Sequence, residues 1–348
     1  MNKVKHFRLY KFFYFILIVL SLIFIFQNFL YLKFISKNPN LEVSWGTSFS
    51  APYAKSFGLD PKTTLESALQ DFNFDQIRIS SYWEDVQPNN SEEFNFSELD
   101  WQLDLIEQYG RKATITLGLR QPRWPECHQP DWAKQLNYSE EWESKLNKFI
   151  SGVVNRYKNR SGVASWQLEN EAKLKVFGDC DPQTVNEDRF QREFELVKNL
   201  DPNRNIIMST SDQYGLPIGK PVPDIYGFSI YTKVTMPGTN SVLSYPQLPV
   251  WHGARAEVIN LISKKDVVIH ELQCEPWGNA ELKVLSLDEQ NRTMDTKRLS
   301  YNLNYAKNIG TKQIDVWGVE WWYWRQIKFN DSSILDTAKE VVNSNLEL

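Results

Sequence analysis

Between residues 43 and 343 the sequence switches its hydrophobic period repeatedly. Short runs rich in β-branched and aromatic residues, at 43–49, 76–80, 112–117, 163–168, 205–209, 225–231, 266–270 and 313–318, read as strands. Longer amphipathic stretches at 61–72, 97–109, 139–157, 185–200, 254–263, 288–308 and 334–343 read as helices, and only the fifth strand has little clear helix behind it. Local signals agree: Ser97 is an N-cap, Gly110 a stop, and Ser139 opens a helix with Glu140, Glu141 and Trp142. Such alternation dictates a parallel sheet, because a parallel neighbour is reached only through a crossover. Eight units favour closure into one (β/α)8 TIM barrel, the α/β architecture expected for residues 41–348. No G-x-G-x-x-G follows the first strand and no Walker A sequence occurs, which disfavours a nucleotide-binding sheet.

The N-terminal segment is a different material. Residues 12–32 carry no charge and, at about 1.5 Å each, are long enough to cross a hydrocarbon core of about 30 Å. Lys3, Lys5, Arg8 and Lys11 precede the run, whereas Lys33 and Lys37 follow it, which favours a cytoplasmic N-terminus at 1–11. A cleaved signal peptide is the rival reading, but its apolar region is shorter and ends in a small-x-small site, and Phe34 spoils that site before Ser36. The expectation is a single-pass transmembrane signal anchor at 12–32, detached from the barrel, with a short tether at 33–40. The catalytic domain then lies outside the cytoplasm, on the cell membrane.

Composition excludes some partners. The formal net charge is −4, which gives no footing for nucleic acid. The four His residues form no HxH or HExxH arrangement and the three cysteines have no metal-ligand spacing, so neither a metal nor another cofactor is expected. Thirteen Trp, within 14% aromatic residues, suit stacking on sugar faces as well as core packing.

The strand ends hold the chemistry. In a TIM barrel the carboxyl ends of all strands open on one face, where catalytic residues gather. Glu171 follows the fourth strand in Glu169-Asn170-Glu171, and Glu271 closes the seventh in Val267-Val268-Ile269-His270-Glu271. Two carboxylates delivered there are the minimal machinery for cleaving a glycosidic bond. Glu171 reads as general acid/base, with Asn170 beside it for a sugar hydroxyl, and Glu271 as nucleophile. Glu275 is the rival nucleophile or a substrate contact. Arg78, between Ile77 and Ile79, needs an anionic partner, and Glu271 is the one expected. Tyr231 is placed to hydrogen-bond the nucleophile. Trp83, Trp124, Trp317, Trp321, Trp322 and Trp324 are candidate sugar platforms, with at least one ring of the dense 317–324 cluster facing the cleft; Arg123 and His128 line a subsite or shape their loop. Cys127 and Cys180 follow neighbouring strands, whose loops lie side by side, so they are expected to form a disulfide with Cys274 left free.

The Asn-Glu at strand 4, the Glu at strand 7, the Arg on strand 2 and the Trp on strand 8 resemble the clan A glycoside hydrolases. That group of retaining (β/α)8 enzymes includes cellulases, β-mannanases, xylanases and β-galactosidases, and the resemblance covers the chain after about residue 41. The details look most like family 5-like, cellulase-like bacterial proteins, in the loop 122–128 (Pro-Arg-Trp-Pro-Glu-Cys-His) and the loop 177–180 (Phe-Gly-Asp-Cys), and in Glu271-Leu272-Gln273 and Glu275-Pro276-Trp277. The resemblance implies Glu171 as acid/base and Glu271 as nucleophile. Ala172 departs from the Pro that many members carry, although some xylanases also have Asn-Glu-Ala.

The expectation is therefore a membrane-anchored retaining glycosidase acting on an oligo- or polysaccharide or glycoside. Two alternatives stand beside it: a transglycosylase acting on cell-surface glycans, and a non-catalytic surface barrel that binds carbohydrate.

Overall fold

A computed structural model describes residues 2–39, 41–175, 178–211, 215–217, 219–239 and 241–344. Met1, Asn40, Phe177 and residues 345–348, which fall within the expected N-terminus, tether, loop pattern and barrel end, lie outside the described residues. Eight parallel strands are present: β1 (Ser44–Phe49), β2 (Gln76–Ser80), β3 (Lys112–Leu117), β4 (Val163–Leu168), β5 (Asn205–Thr210), β6 (Ile225–Ile230), β7 (Asp266–Gln273) and β8 (Gln313–Trp317). They close into a barrel in the order β1-β8-β7-β6-β5-β4-β3-β2.

Strand alternation sorts the side chains. Ile77, Ile79, Ile115, Leu117, Trp166 and Leu168 join the buried apolar core that receives the surrounding helices. Arg78 points the other way and bonds residues of β1, β4 and β7, which places it inside the barrel. The helix Glu140–Tyr157 begins where Ser139 accepts a hydrogen bond from the Trp142 amide, with Glu140, Glu141 and Glu143 in the first turn to suit the helix dipole.

Four features differ from the sequence reading. The stretch expected as one helix at 288–308 is two, Leu287–Asn291 and Thr296–Lys307, because Asp295 caps the second by accepting from the Arg298 amide. A hairpin of Lys233–Thr235 and Val242–Ser244 fills the loop after β6. The Trp cluster after β8 forms the helix Val319–Phe329, which buries Trp321, Trp322 and Trp324.

The fourth difference lies at the N-terminus. The apolar helix Asn2–Ser36 does not end at Leu32 in a loose tether. Its last turns dock on the helix Pro249–Ser263: Leu30 is buried, and Tyr31 donates its hydroxyl proton to the Asn308 carbonyl at 2.6 Å. Lys33 and Lys37 reach the fully buried Glu257 at 3.2 and 2.5 Å. A buried carboxylate demands a cation, and that demand orders the segment expected to be flexible.

Candidate active site

Register builds the setting of Glu271. Phe228 of β6 pairs with Ile269 and Ser229 with Glu271, so β7 carries an extra residue at His270. A bulge of this kind re-aims side chains. Consecutive residues His270 and Glu271, which strict alternation would send to opposite faces, both reach the barrel interior. The Arg78 guanidinium donates to Glu271 Oε1 at 2.7 Å, to Ser48 Oγ at 2.7 Å and to Gln167 Oε1 at 3.3 Å. The Tyr231 hydroxyl donates to Glu271 Oε2 at 3.0 Å, and burial with the Glu271 charge holds that phenol well above its usual pKa. Both Glu271 oxygens thus have a donor, one of them charged. His270 sits between Asp315 at 2.5 Å and Gln167 at 3.0 Å, and burial, partly offset by Asp315, lowers its pKa.

After β4 the chain makes two left-handed turns, at Glu169 (φ 54°) and Glu171 (φ 48°), which split the two glutamates between tasks. Glu169 turns away from the cleft. Its carboxylate accepts from the Leu119 and Arg120 amides at 2.9 and 2.7 Å and from Arg189 at 2.8 Å. Gly118 (φ +99°) makes room for it, since a Cβ there would lie 2.6 Å from Glu169 Oε1. Glu171 is buried in the cleft, its amide donating to Ser209 Oγ at 2.9 Å. Burial first, and the Glu271 charge second, push its carboxyl up to about 8. Asn170 is locked from three sides: Gln167 and Ser209 donate to its Oδ1, and its amide nitrogen donates to Glu126 Oε2 at 3.2 Å. Glu126, not singled out as a site residue from sequence, is a third buried carboxyl, held well above its usual pKa by burial and by the neighbouring Glu171. The sequence signal for Gln167 was a lone polar residue flanked by Trp166 and Leu168 on a barrel strand.

Glu275 belongs to a separate ion cluster. It accepts from Arg123 at 2.5 Å and from Trp317 Nε1 at 2.8 Å, while Arg123 also reaches Glu320 at 2.9 Å. Trp317 forms the joint between the two clusters, its ring lying 5.4 Å from the Arg78 guanidinium and 3.9 Å from that of Arg123. Trp124 stands on the rim, 68% exposed. Three expected contacts are corrected by burial. Trp83 packs among Trp132, Trp142 and Phe149 in the outer layer. Trp322 donates to the Cys274 carbonyl and packs on Phe72. His128 uses both ring nitrogens, on Glu84 and the Arg123 carbonyl, so it shapes its loop rather than meeting a ligand.

A disulfide joins Cys127 to Cys180 with a Cα separation of 5.3 Å, and Cys274 is free and buried. It ties the Glu126 loop to the segment following Glu171. A cavity of about 500 Å³ opens beside Tyr231, lined also by Lys233, Tyr245, Gln247, Arg298 and Tyr301. Among the described residues no cluster of His, Cys, Asp or Glu is arranged to hold a metal ion.

Solved structures similar to this chain include xylanases and β-galactosidases, and the likeness is one of fold. A family 10 endo-β-1,4-xylanase from Gloeophyllum trabeum superposes with TM-score 0.54 at 15% identity, covering 79% of this chain and 83% of that one. Xylanase10C from Cellvibrio japonicus, solved with xylopentaose, gives 0.58 at 16% identity over 88% and 68%. A β-galactosidase from Marinomonas ef1 gives 0.53 at 11% identity over 79% and 54%. In sequence the chain is 25% identical over 122 residues to β-galactosidase BgaH of Haloferax lucentense, a match spanning 30% of this chain and 18% of that protein. No known family profile matches the chain.

Proposed function

We propose that the chain is a membrane-anchored retaining glycoside hydrolase that cleaves β-linked O-glycosides by double displacement. One observation carries this reading: two carboxyls in one cleft are pushed to opposite tasks. Glu171 keeps its proton up to about pH 8, whereas Glu271 is gripped by Arg78 and Tyr231. A protonated acid beside an oriented carboxylate is what the first step needs. Glu271 attacks the anomeric carbon as Glu171 protonates the departing oxygen. The glycosyl-enzyme neutralises Glu271, so the like charge that raised Glu171 disappears. Glu171, now a carboxylate, then takes a proton from the water that releases the sugar. Asn170 is fixed to meet a hydroxyl next to the reacting carbon, and Trp317 and Trp124 offer aromatic faces. The double displacement requires carboxyls about 5–5.5 Å apart.

The helix that carries the barrel supports anchoring. Phe12–Ser36 is long and apolar enough to cross a membrane, and its first half meets no other part of the described chain. The basic residues before the span favour a barrel outside the cytoplasm.

The test is a panel of aryl β-glycosides and β-linked polysaccharides with the full chain in detergent, followed by a mechanism-based 2-fluoroglycoside. Turnover and labelling of the peptide containing Glu271 are expected. Labelling at Glu275, or no turnover on any glycoside, overturns the assignment.

A further inference from the structure

The docked anchor fixes more than attachment. The helix Pro249–Ser263 follows β6 and its hairpin, and it ends just before Asp266 opens β7. It therefore runs from the mouth of the barrel toward the opposite face. The anchor pairs with it in ascending order. Tyr31 packs against Gly253, Lys37 meets Glu257 at 2.5 Å, and the same Lys37 meets Asn260 at 2.6 Å. The two helices are thus parallel. Followed backward from Leu30, the anchor leaves the barrel in the direction in which the strands' carboxyl ends point. Residues 12–26 continue beyond the docked part and are almost wholly exposed. At about 1.5 Å per residue they extend about 22 Å, less than the roughly 30 Å of a hydrocarbon core, so a spanning anchor draws the barrel down onto the bilayer surface.

The loops on that face match the placement. Trp124 after β3, Met236, Leu243 and Leu248 after β6, and Val284 after β7 are exposed large apolar side chains. All five belong to the mouth side, although Val222, Leu261, Ile262 and Ile327 are comparably exposed elsewhere on the barrel. The cavity beside Tyr231 reaches Gln247, two residues before the docking helix begins. Its inner wall includes Tyr231, the phenol that donates to Glu271.

We propose that the anchor holds the catalytic mouth against the membrane, so that the saccharides cleaved are those joined to lipids of that membrane. The orientation stands on the docking alone; the substrate class rests on the glycosidase reading above.

The experiment uses the full chain in phosphatidylcholine vesicles. Cys274 is buried and the other cysteines are bonded, so a thiol-reactive fluorophore attaches only to an introduced cysteine. Val284→Cys labels the mouth. Ile262→Cys labels an equally exposed residue at the far end of the docking helix, on the same flank. Headgroup-nitroxide lipids are expected to quench the Val284 label severalfold more strongly. Equal quenching, or stronger quenching at Ile262, overturns the orientation. In the second arm, the full chain hydrolyses a β-linked oligosaccharide joined to a lipid in the same vesicles severalfold faster than the free oligosaccharide. The Lys33→Asp/Lys37→Asp variant, which sets like charges on Glu257, keeps its rate on a soluble aryl glycoside and loses that preference. Equal rates on free and lipid-held saccharide overturn the substrate class while turnover continues. Absence of turnover on every glycoside overturns the glycosidase reading and the substrate class together, with the quenching still deciding the orientation.

Discussion

Glu171 shows how one side chain sets a pH profile. Its carboxyl is raised from 4.5 to about 8 by burial and by Glu271, so the proton-donating form persists through neutrality and is lost as pH rises through about 8. The rate for substrates with poor leaving groups is expected to fall on that alkaline limb. Glu171→Gln should lower their kcat by about 10²–10⁴-fold, the span of general acid catalysis, and should lower it less for activated aryl glycosides. Stability carries the same sign. The folded state binds this proton more tightly than the unfolded chain, a contribution fully present below the unfolded value and lost as pH rises through about 8. Thermal unfolding of Glu171→Gln should therefore match the parent near pH 4 and exceed it near pH 9. A variant that is less stable at both pH values would mean that another group governs the profile. Arg78 supplies the complementary case. Arg78→Ala strands a buried carboxylate, and breaking such a pair costs about 3–5 kcal/mol, so both folding stability and turnover should drop.

At the scale of strands, loops and helices, the two kinds of Trp separate cleanly. Trp83 is wholly buried between helices, and Trp83→Ala should cost about 3–5 kcal/mol in denaturant unfolding. Trp124→Ala, on the rim, should leave the unfolding midpoint in place and raise KM for long saccharides. Sequence could not part them, because both are aromatic residues after short apolar runs and their fates depend on which helix packs above. The strand–helix alternation was legible since period is a local property. So was the Arg78–Glu271 pair, because a lone charge on a barrel strand must find its opposite inside. The bulge at His270 was not legible, since it exists only relative to the registers of β6 and β8. Nor was the split between Glu169 and Glu171, which left-handed backbone at both positions decides. The disulfide joins loops after adjacent strands. Cys180→Ser should lower stability by about 2–4 kcal/mol, and chemical reduction of the parent should reproduce that loss.

Across the whole molecule the N-terminal helix is part of the fold rather than an appendage. Glu257 is fully buried and its cations come from the N-terminal helix. A chain starting at residue 27, which keeps Tyr31, Lys33 and Lys37, should unfold at a higher temperature than one starting at residue 41. Equal midpoints would show that Glu257 is satisfied without the helix. The expected tether was misread because Lys33 and Lys37 look like ordinary flanking charges until Glu257, more than two hundred residues away, is brought beside them. The proposed anchoring would also change how such an enzyme meets its target. A freely diffusing hydrolase must find substrate in three dimensions and hold it tightly enough to win each encounter. A barrel fixed to the sheet of molecules it acts on searches in two, where confinement raises the effective concentration of every neighbour. Weak grip on any single sugar then suffices, and weak grip lets product leave quickly, so turnover is governed by what drifts past in the plane.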